Sequence, residues 1–252
     1  MKKKLASLLG IIVFSLFFFS GQAQDKTIKW TTKSKKAREL ALQGAKHAMN
    51  AEFQQAYDYF NSALKLDPDF TVALTFMAQM TSGTTRKDYS EKAVNSAAKK
   101  SEGEKLFAST VAPGITPESN REAAAKLYDM YPGEKMFGLN YVFSRATPEE
   151  SVKAAEEFLK KFPDNPPINN SLGYMNIQIK KDTAAAKRFF EKYIELYPEG
   201  YNPYDSMGEF YFMTGDMDNS EKYYNMALEK YPFNISSIDK LKEIKAIKDK
   251  KK

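Results

Sequence analysis

The segment Gly208–Pro232, GEFYFMTGDMDNSEKYYNMALEKYP, has the residue pattern of two packed helices. Residues 12, 16, 19 and 24 positions after the first glycine are small, aromatic, small and proline: Ser220, Tyr224, Ala227 and Pro232. A glycine lets two helices approach closely, a small residue on the second helix faces it, and an aromatic fills the gap to the next pair. Proline ends the unit because it cannot continue a helix. The segment therefore predicts a helical hairpin.

The same spacing occurs elsewhere in the 252-residue chain. From Gly44 it reaches Ala56, Phe60, Ala63 and Pro68. From Gly173, with a shift of one residue, it reaches Ala186, Phe190, Tyr193 and Pro198, and here the third position is not small. Pro68, Pro132, Pro163, Pro198 and Pro232 lie 64, 31, 35 and 34 residues apart. A unit of about 34 residues is the period of a helical-hairpin array.

Two stretches of the last unit carry a resemblance to a known family. YDSMGEFY, with Tyr204, Met207, Gly208 and Tyr211, resembles the first helix of a tetratricopeptide repeat, and SEKYYNMALEKYP resembles the second. The resemblance is clearest in residues 37–69 and 166–232. It implies an all-α, right-handed α-solenoid of about six stacked hairpins, some of them degenerate, that acts as a non-catalytic protein-binding scaffold. The residues expected to pack the repeats are Gly44, Ala56, Phe60, Ala63, Pro68, Gly173, Ala186, Phe190, Pro198, Tyr204, Gly208, Tyr211, Tyr224, Ala227 and Pro232.

Other parts of the chain fit the repeat less well. TSGTTRKDYSEKAVNSAAKK has no closing proline, so we expect an irregular superhelix between residues 80 and 116. In residues 233–252 we expect a capping helix and a basic tail, with apolar residues at a spacing of three facing the last hairpin: Ile235, Ile238, Leu241, Ile244 and Ile247. In the lead-in, residues 24–36, Ser34 is expected to cap a helix and Trp30 to cover the open edge of the first hairpin. The repeat domain then spans residues 37–232.

The amino terminus predicts export. Three lysines precede a 15-residue apolar run from Leu5 to Phe19, and small residues follow at Gly21 and Ala23. This is the layout of a signal peptide, residues 1–23, because the run is shorter than the roughly 20 residues of a membrane-spanning helix. An uncleaved anchor is the alternative. We expect a periplasmic or secreted protein with no stable membrane insertion after cleavage.

Composition excludes several kinds of chemistry. With no cysteine, the chain has neither disulfides nor thiolate metal sites, and it cannot be anchored through a lipid-modified cysteine. The only histidine, His47, occupies the place that Tyr211 holds in the last unit, so it is expected to pack and not to act as a base. One histidine and scattered carboxylates predict no metal site, and TSGTTRK lacks the spacing of a nucleotide loop, so no cofactor is expected.

Nucleic acid is not an expected partner. The net charge of the whole chain is +6, and the three lysines of the predicted leader account for half of it. The remaining +3, spread over the exported part, gives a weak field. Lysines such as Lys153 share their helix with acids such as Glu156 and Glu157, which is typical of a solvated face.

The stretch NPYDSMGE, Asn202–Glu209, combines Asp, Ser and Glu and could belong to a hydrolase site. It also has the pattern of a helix start: Asn202 as the cap, Pro203 in the first turn, and Asp205 three residues after the cap. The same pattern occurs at Thr147 with Pro148 and Glu150, and at Thr116 with Pro117. Recurrence at hairpin boundaries favours the structural interpretation, and no catalytic residue is predicted.

What remains is a surface on which a partner could bind. In stacked hairpins the first helices line the concave face, and residues offset from the packing glycine point into the groove. Aromatic residues there give contact area, an amide can bond to a peptide backbone, and acids select a basic ligand. The alternative is that Tyr174 and Phe212 only pack against neighbouring helices. The predicted groove residues are Asn170, Tyr174, Ile177, Asp205, Glu209 and Phe212.

These features predict a non-catalytic scaffold of the cell envelope that holds a partner peptide or helix. Two alternatives stay open. One is an accessory subunit of an exported enzyme or transport system. The other is a hydrolase that uses the carboxylates Asp205 and Glu209, one helical turn apart.

Overall fold

The computed structural model describes residues 26–250, so the predicted signal peptide lies outside the described residues. Within this range the chain forms thirteen α-helices and no strand. The helices are α1 (Lys35–Met49), α2 (Phe53–Leu66), α3 (Thr71–Met80), α4 (Gly83–Ala97), α5 (Glu102–Ser109), α6 (Pro117–Met130), α7 (Lys135–Phe143), α8 (Pro148–Lys161), α9 (Pro166–Met175), α10 (Thr183–Leu196), α11 (Asn202–Thr214), α12 (Met217–Lys230) and α13 (Ile235–Asp249). A π-helical turn, Asn176–Lys180, extends α9.

Short side chains begin many of these helices. Ser34, Thr116 and Thr147 each accept a hydrogen bond from a backbone N–H in the first turn of the following helix, which satisfies a donor that has no partner within the helix. The predicted caps at these three positions are therefore confirmed. Asp182 and Asp216 do the same for the second helices α10 and α12.

Three helical hairpins are each closed by a repeat glycine against an aromatic ring. Gly44 faces Phe60, Gly173 faces Phe190, and Gly208 faces Tyr224. The sequence analysis expected a small residue opposite each glycine and the aromatic in the gap to the next pair, but the ring itself lies against the glycine, where the missing side chain leaves room for it. All three rings are almost fully buried. The small residues of the predicted packing set are equally buried: Ala56, Ala63, Ala186 and Ala227. The prolines at positions 68, 198 and 232 lie in the turn that follows each second helix.

Consecutive hairpins stack side by side. The first helices α1, α3 and α5 also touch one another, so they lie on the same side of the stack. Each first helix has one side that points away from the second helix of its hairpin. We call this side the inner face. The expected irregularity between residues 80 and 116 is seen in α5, which has only eight residues against fourteen in its partner α6. The missing turn leaves an open cavity of about 460 Å³ beside Leu106, Gly114 and Ala123.

The lead-in lies against the first hairpin as expected, because Trp30 shares a core with Ala41 and Ala45 of α1, and it also extends beyond that hairpin. Trp30 is buried and lies 5.4 Å from Phe107 and 6.0 Å from Phe137, measured between ring centroids. Those rings belong to α5 and α7, so Trp30 reaches across the inner face to the third and fourth helix pairs. The sequence did not predict the contacts with Phe107 and Phe137, because those residues have no local sequence relation to Trp30.

The capping helix α13 packs on α12 and α11, and four of the five apolar residues expected to face the last hairpin are at least partly buried. Ile244 is fully buried, whereas Ile235 is 72% exposed. The start of α13 is held by polar groups instead, because Asn234 and Ser237 both donate hydrogen bonds to Asp205. A helix that lacks a second partner helix buries a narrow stripe only.

Candidate partner-binding surface

The predicted groove residue Asp205 has partners inside the protein. It is buried in the first turn of α11, and its Oδ1 accepts hydrogen bonds from Asn234 Nδ2 at 2.8 Å and from Ser237 Oγ. Burial raises the pKa of Asp205, and the two hydrogen bonds from Ser237 and Asn234 oppose that rise. Asp205 therefore fixes α13 against α11.

Tyr174 and Glu209 form a second polar link, between α9 and α11. The Tyr174 hydroxyl donates a 2.9 Å hydrogen bond to Glu209 Oε2, and its ring meets Phe190 edge-on. Burial raises the pKa of Tyr174, and the nearby Glu209 charge adds to the effect. The Glu209 side chain stays half-buried, so its carboxylate borders the solvent.

The other three predicted groove residues are only partly buried. Ile177 packs against the core that contains Phe190 and Phe210, while Lys240 of α13 lies 4.2 Å above the Phe212 ring. The Asn170 side-chain oxygen is buried without a hydrogen-bond partner. The structure thus brings the predicted residues together on α9 and α11. Most of them also link neighbouring helices, which is the alternative that the sequence left open for Tyr174 and Phe212.

Helix geometry identifies inner-face positions that the sequence analysis missed. At about 100° per residue, the position five after a packing glycine lies roughly 140° around the helix from it, away from the second helix. In α7 and α11 this position carries Phe143 and Met213, which are 61% and 45% exposed. In the extension of α9 it carries the exposed Gln178. The repeat spacing, applied to position five, would have found them.

In the amino-terminal half of the chain, position five of the inner face is packed against other helices. Met49 of α1 has the same repeat position as Phe143 and Met213, but it packs against cores from both the first and fourth helix pairs. Helices α1 and α7 are in direct contact. A small cavity of about 80 Å³ remains between them, lined by Ala41, Ala45 and Met136 among others. At position five after the packing glycine, the exposed large apolar side chains are therefore Phe143 and Met213, whereas in the amino-terminal half Leu42 of α1, which is 54% exposed, borders the small cavity.

A buried carboxylate closes the array on itself. Glu52 follows α1, is 1% exposed, and accepts hydrogen bonds from the Tyr197 hydroxyl at 2.8 Å and from the Tyr201 backbone N–H at 2.9 Å. The N–H of Asn202 also points to it, at 3.4 Å. Glu52 thus supplies the acceptor at the start of α11, where the sequence predicted Asn202. That prediction was wrong because α11 begins one residue earlier than a cap at Asn202 requires.

Asn202 has another bonding role. Its side-chain Nδ2 donates to the Tyr193 hydroxyl, and that hydroxyl donates to the backbone oxygen of Asn50. Tyr193 is fully buried, and burial raises the pKa of its hydroxyl. The bulky third position of the fifth hairpin, which looked like an imperfection of the repeat, is therefore part of the contact with the first hairpin.

His47 packs as its repeat position predicts. It stacks on Tyr59 at 5.3 Å, and Tyr211 stacks on Tyr223 at 5.5 Å in the last hairpin. Its Nδ1 also lies 2.6 Å from Glu52 Oε2, beside the contact with the Tyr197–Asn202 segment. Across residues 26–250 no three His, Asp or Glu side chains are arranged to hold a metal ion. The same part of the chain contains no helix long and apolar enough to cross a bilayer.

Fold and surface together define a helical-repeat protein of the α-solenoid class. Residues 141–201 and 206–234 each match a family model described as tetratricopeptide repeat. These two segments, in the carboxy-terminal part of the chain, are tetratricopeptide repeats. Proteins that carry these repeats are generally non-catalytic scaffolds for protein–protein interaction, and this chain is one of them.

Solved structures show similar folds at low sequence identity. The Cut9 and Hcn1 hetero-tetramer of APC/C contains a chain that aligns with a TM-score of 0.50 and 16% identity, covering 83% of this chain and 42% of that chain. PilW, a type IV pilus biogenesis factor, aligns with a TM-score of 0.46 and 14% identity over 82% and 99% of the two chains. The first repeat domain of Spaghetti (RPAP3), bound to an HSP90 peptide, aligns with a TM-score of 0.39 and 19% identity. That alignment covers 43% of this chain and 86% of that chain. The comparison with curated proteins gives no match.

Proposed function

We propose that this protein is an exported scaffold of the cell envelope, and that it holds a segment of a partner protein against the inner face of its carboxy-terminal half. The single observation that carries the proposal is the exposure of Phe143 and Met213 at an inner-face position whose counterpart Met49 is packed. Exposed large apolar residues on a repeat array favour a protein partner. The predicted leader, residues 1–23, supports the location.

The chemistry around these side chains suggests what the partner brings. Glu209 borders the solvent within the same turn of α11 as Phe212 and Met213, so an apolar segment with a basic group beside it would match the surface. Asp205 is less available, because its carboxylate is buried and bonded to α13. A hydrolase that uses Asp205 and Glu209 is set aside on that ground and on the scaffold character of the family.

Site-specific photocrosslinking tests the proposal. A photoreactive amino acid is placed at position 213 in one variant and at position 143 in another, in cells of the source organism. A matched control carries it at Leu66, which is 50% exposed but lies at the end of the second helix α2. We expect the same partner adduct from positions 143 and 213 and none from position 66.

Equal adducts at all three positions, or no adduct at 143 and 213, would contradict the proposed surface. The mass of the mature protein tests export separately. A chain that begins at Gln24 and fractionates with the envelope is expected.

A further inference from the structure

Residues 26–33 are held like a bound extended peptide. They belong to no helix or strand, and burial alternates along them: Ile28 and Trp30 are buried, while Lys29 and Thr31 are exposed. Alternation with a period of two is what an extended segment shows when one face lies in a groove. The segment crosses the first turns of α7 and α5 before α1 begins.

One end of the segment is bound through its backbone at the start of α7. The N–H of Gly133 donates a 3.0 Å hydrogen bond to the Lys26 carbonyl oxygen. The N–H of Ile28 donates to the Glu134 carboxylate and partly offsets the effect of burial, which raises the pKa of Glu134. Lys26 also lies above the Tyr131 ring, at 5.3 Å from its centroid.

The other end is bound by Glu104 of α5. This carboxylate is fully buried and accepts hydrogen bonds from the Thr31 backbone N–H at 2.8 Å and from the Thr31 hydroxyl at 2.9 Å. Arg38 donates to the Trp30 carbonyl oxygen at 3.1 Å. Glu104 therefore binds this end of the segment from the groove, while Arg38 of α1 binds the Trp30 carbonyl oxygen from the helix that follows the segment.

Two pockets take the buried side chains. Trp30 fits between Phe107 of α5 and Phe137 of α7, and both of these rings are almost fully buried. Ile28 lies against Gly103, where an added Cβ would come within 2.8 Å of the Ile28 side chain. Gly103 therefore leaves the space that Ile28 and the Tyr131 ring occupy against α5.

We propose that α5 and α7 form a peptide-binding groove for extended segments with the pattern apolar, any residue, aromatic, threonine, and that residues 26–33 of this chain are its built-in ligand. The contacts of the groove with the segment involve neither Phe143 nor Met213, so the inference does not depend on the proposed function. A ligand tethered in cis competes at an effective concentration of roughly millimolar. A partner segment with the same pattern then binds only when the built-in segment leaves.

Cutting the tether after folding tests this inference. A protease site with a short flexible linker is inserted between Lys33 and Ser34 of the full chain. The protein is folded, cut, and freed of the released fragment. A fluorescent peptide with the sequence of residues 26–33, KTIKWTTK, is then titrated onto cut and uncut protein while fluorescence anisotropy is measured. A peptide with Trp30→Ala is the matched control.

We expect the cut protein to keep its helical circular dichroism and to bind the peptide saturably. The uncut protein should bind it at least about tenfold more weakly because the tethered copy competes. The Trp30→Ala peptide should also bind at least about tenfold more weakly because it loses the aromatic pocket.

Three outcomes would overturn the inference. Loss of helicity on cutting would make the segment part of the folding core and not a ligand. Retained helicity without binding, or equal binding by both peptides, would show that the groove does not recognise this pattern. Equal binding by cut and uncut protein would show that the built-in segment does not occupy the site that the peptide uses.

Discussion

Gly173 and Gly44 occupy the same repeat position but leave different room for a methyl group. A Cβ added at Gly173 would come within 2.6 Å of the Phe190 ring, whereas one at Gly44 would lie 3.0 Å from Phe60. Both rings are fully buried and have little space to move. The close approach of the two helices, and not the turn chemistry, is what the repeat glycine provides.

This difference predicts a graded response to Gly→Ala substitution. Overpacking costs about 1–3 kcal/mol, and replacing glycine by alanine inside a helix returns about 1 kcal/mol. We expect Gly173→Ala to lower the free energy of unfolding by about 1–2 kcal/mol and Gly44→Ala to change it by less. Urea denaturation followed by circular dichroism measures both. Equal losses, or a gain at Gly173, would mean that the rings can move aside.

Asp205 gives the molecule a specific dependence on pH. Its pKa in the folded protein is raised above the ordinary value of 3.8, so the folded state holds the proton more tightly than the unfolded chain does. The stability contributed by this group is full below pH 3.8 and is lost as the pH rises through the folded pKa. Other carboxylates titrate in the same range, so the effect has to be isolated by substitution.

Asp205→Asn keeps an oxygen that can accept from Asn234 and Ser237 but removes the ionisation. We therefore expect the variant to gain stability relative to the wild type as the pH rises from about 3.5 to 7. Unfolding free energies of both proteins at several pH values in this range test it. A difference between the two that does not change with pH would contradict the raised pKa.

At the scale of single elements, α13 has one fully buried apolar side chain. Ile244 is fully buried, whereas Ile235, nine residues earlier on the same helix, is 72% exposed. Truncating a buried isoleucine to alanine costs about 2–5 kcal/mol, and an exposed one costs little. We expect Ile244→Ala to destabilise the protein by at least about 2 kcal/mol and Ile235→Ala by less than about 0.5 kcal/mol. Thermal unfolding of the two variants tests this, and similar effects would mean that α13 docks on a different face.

The sequence predicts those elements whose contacts are local. The glycine, small, aromatic and proline positions define hairpins because their partners lie within about 25 residues, as Gly208 and Tyr224 do. The caps Ser34, Thr116 and Thr147 are equally local. Even the irregular stretch between residues 80 and 116 is foreseen from its missing proline, although the short α5 and the cavity beside it are not.

Contacts between distant parts of the chain could not be predicted in this way. Glu52 bonds to Tyr201, 149 residues away, and Trp30 reaches Phe107 and Phe137. No periodicity in one sequence links such positions. The long-range contacts of the predicted groove residues could not be predicted either. Their positions on α9 and α11 follow from the repeat, but whether Asp205 faces a partner or α13 depends on Asn234 and Ser237.

At the scale of the whole molecule, the first hairpin is joined to the turn between α10 and α11. The centre of this contact is the buried Glu52, and its rim is the exposed pair Lys46 and Glu199, with 2.9 Å between Nζ and Oε1. The packed Met49, the built-in ligand and this contact together make a closed array, and Phe143 and Met213 stay exposed on its inner face.

Glu52 and Glu199 allow a matched test of what closes the array. Glu52→Ala leaves the Tyr197 hydroxyl and two backbone N–H groups without an acceptor, and each unsatisfied buried group costs about 1–3 kcal/mol. We expect it to lower the free energy of unfolding by about 2–4 kcal/mol. Glu199→Ala removes an exposed ion pair and should cost less than about 0.5 kcal/mol. Comparable losses in urea denaturation would contradict a buried centre with a weak rim.

The most direct measurement uses the absence of cysteine in the chain. Spin labels on Lys46→Cys and Glu199→Cys report the separation of the first hairpin from the turn between α10 and α11 by pulsed electron resonance. The closed array predicts a single narrow distribution at short distance, which becomes broad and long when Glu52→Ala is added. A broad, long distribution with Glu52 intact would show that the array is open, and would contradict the account.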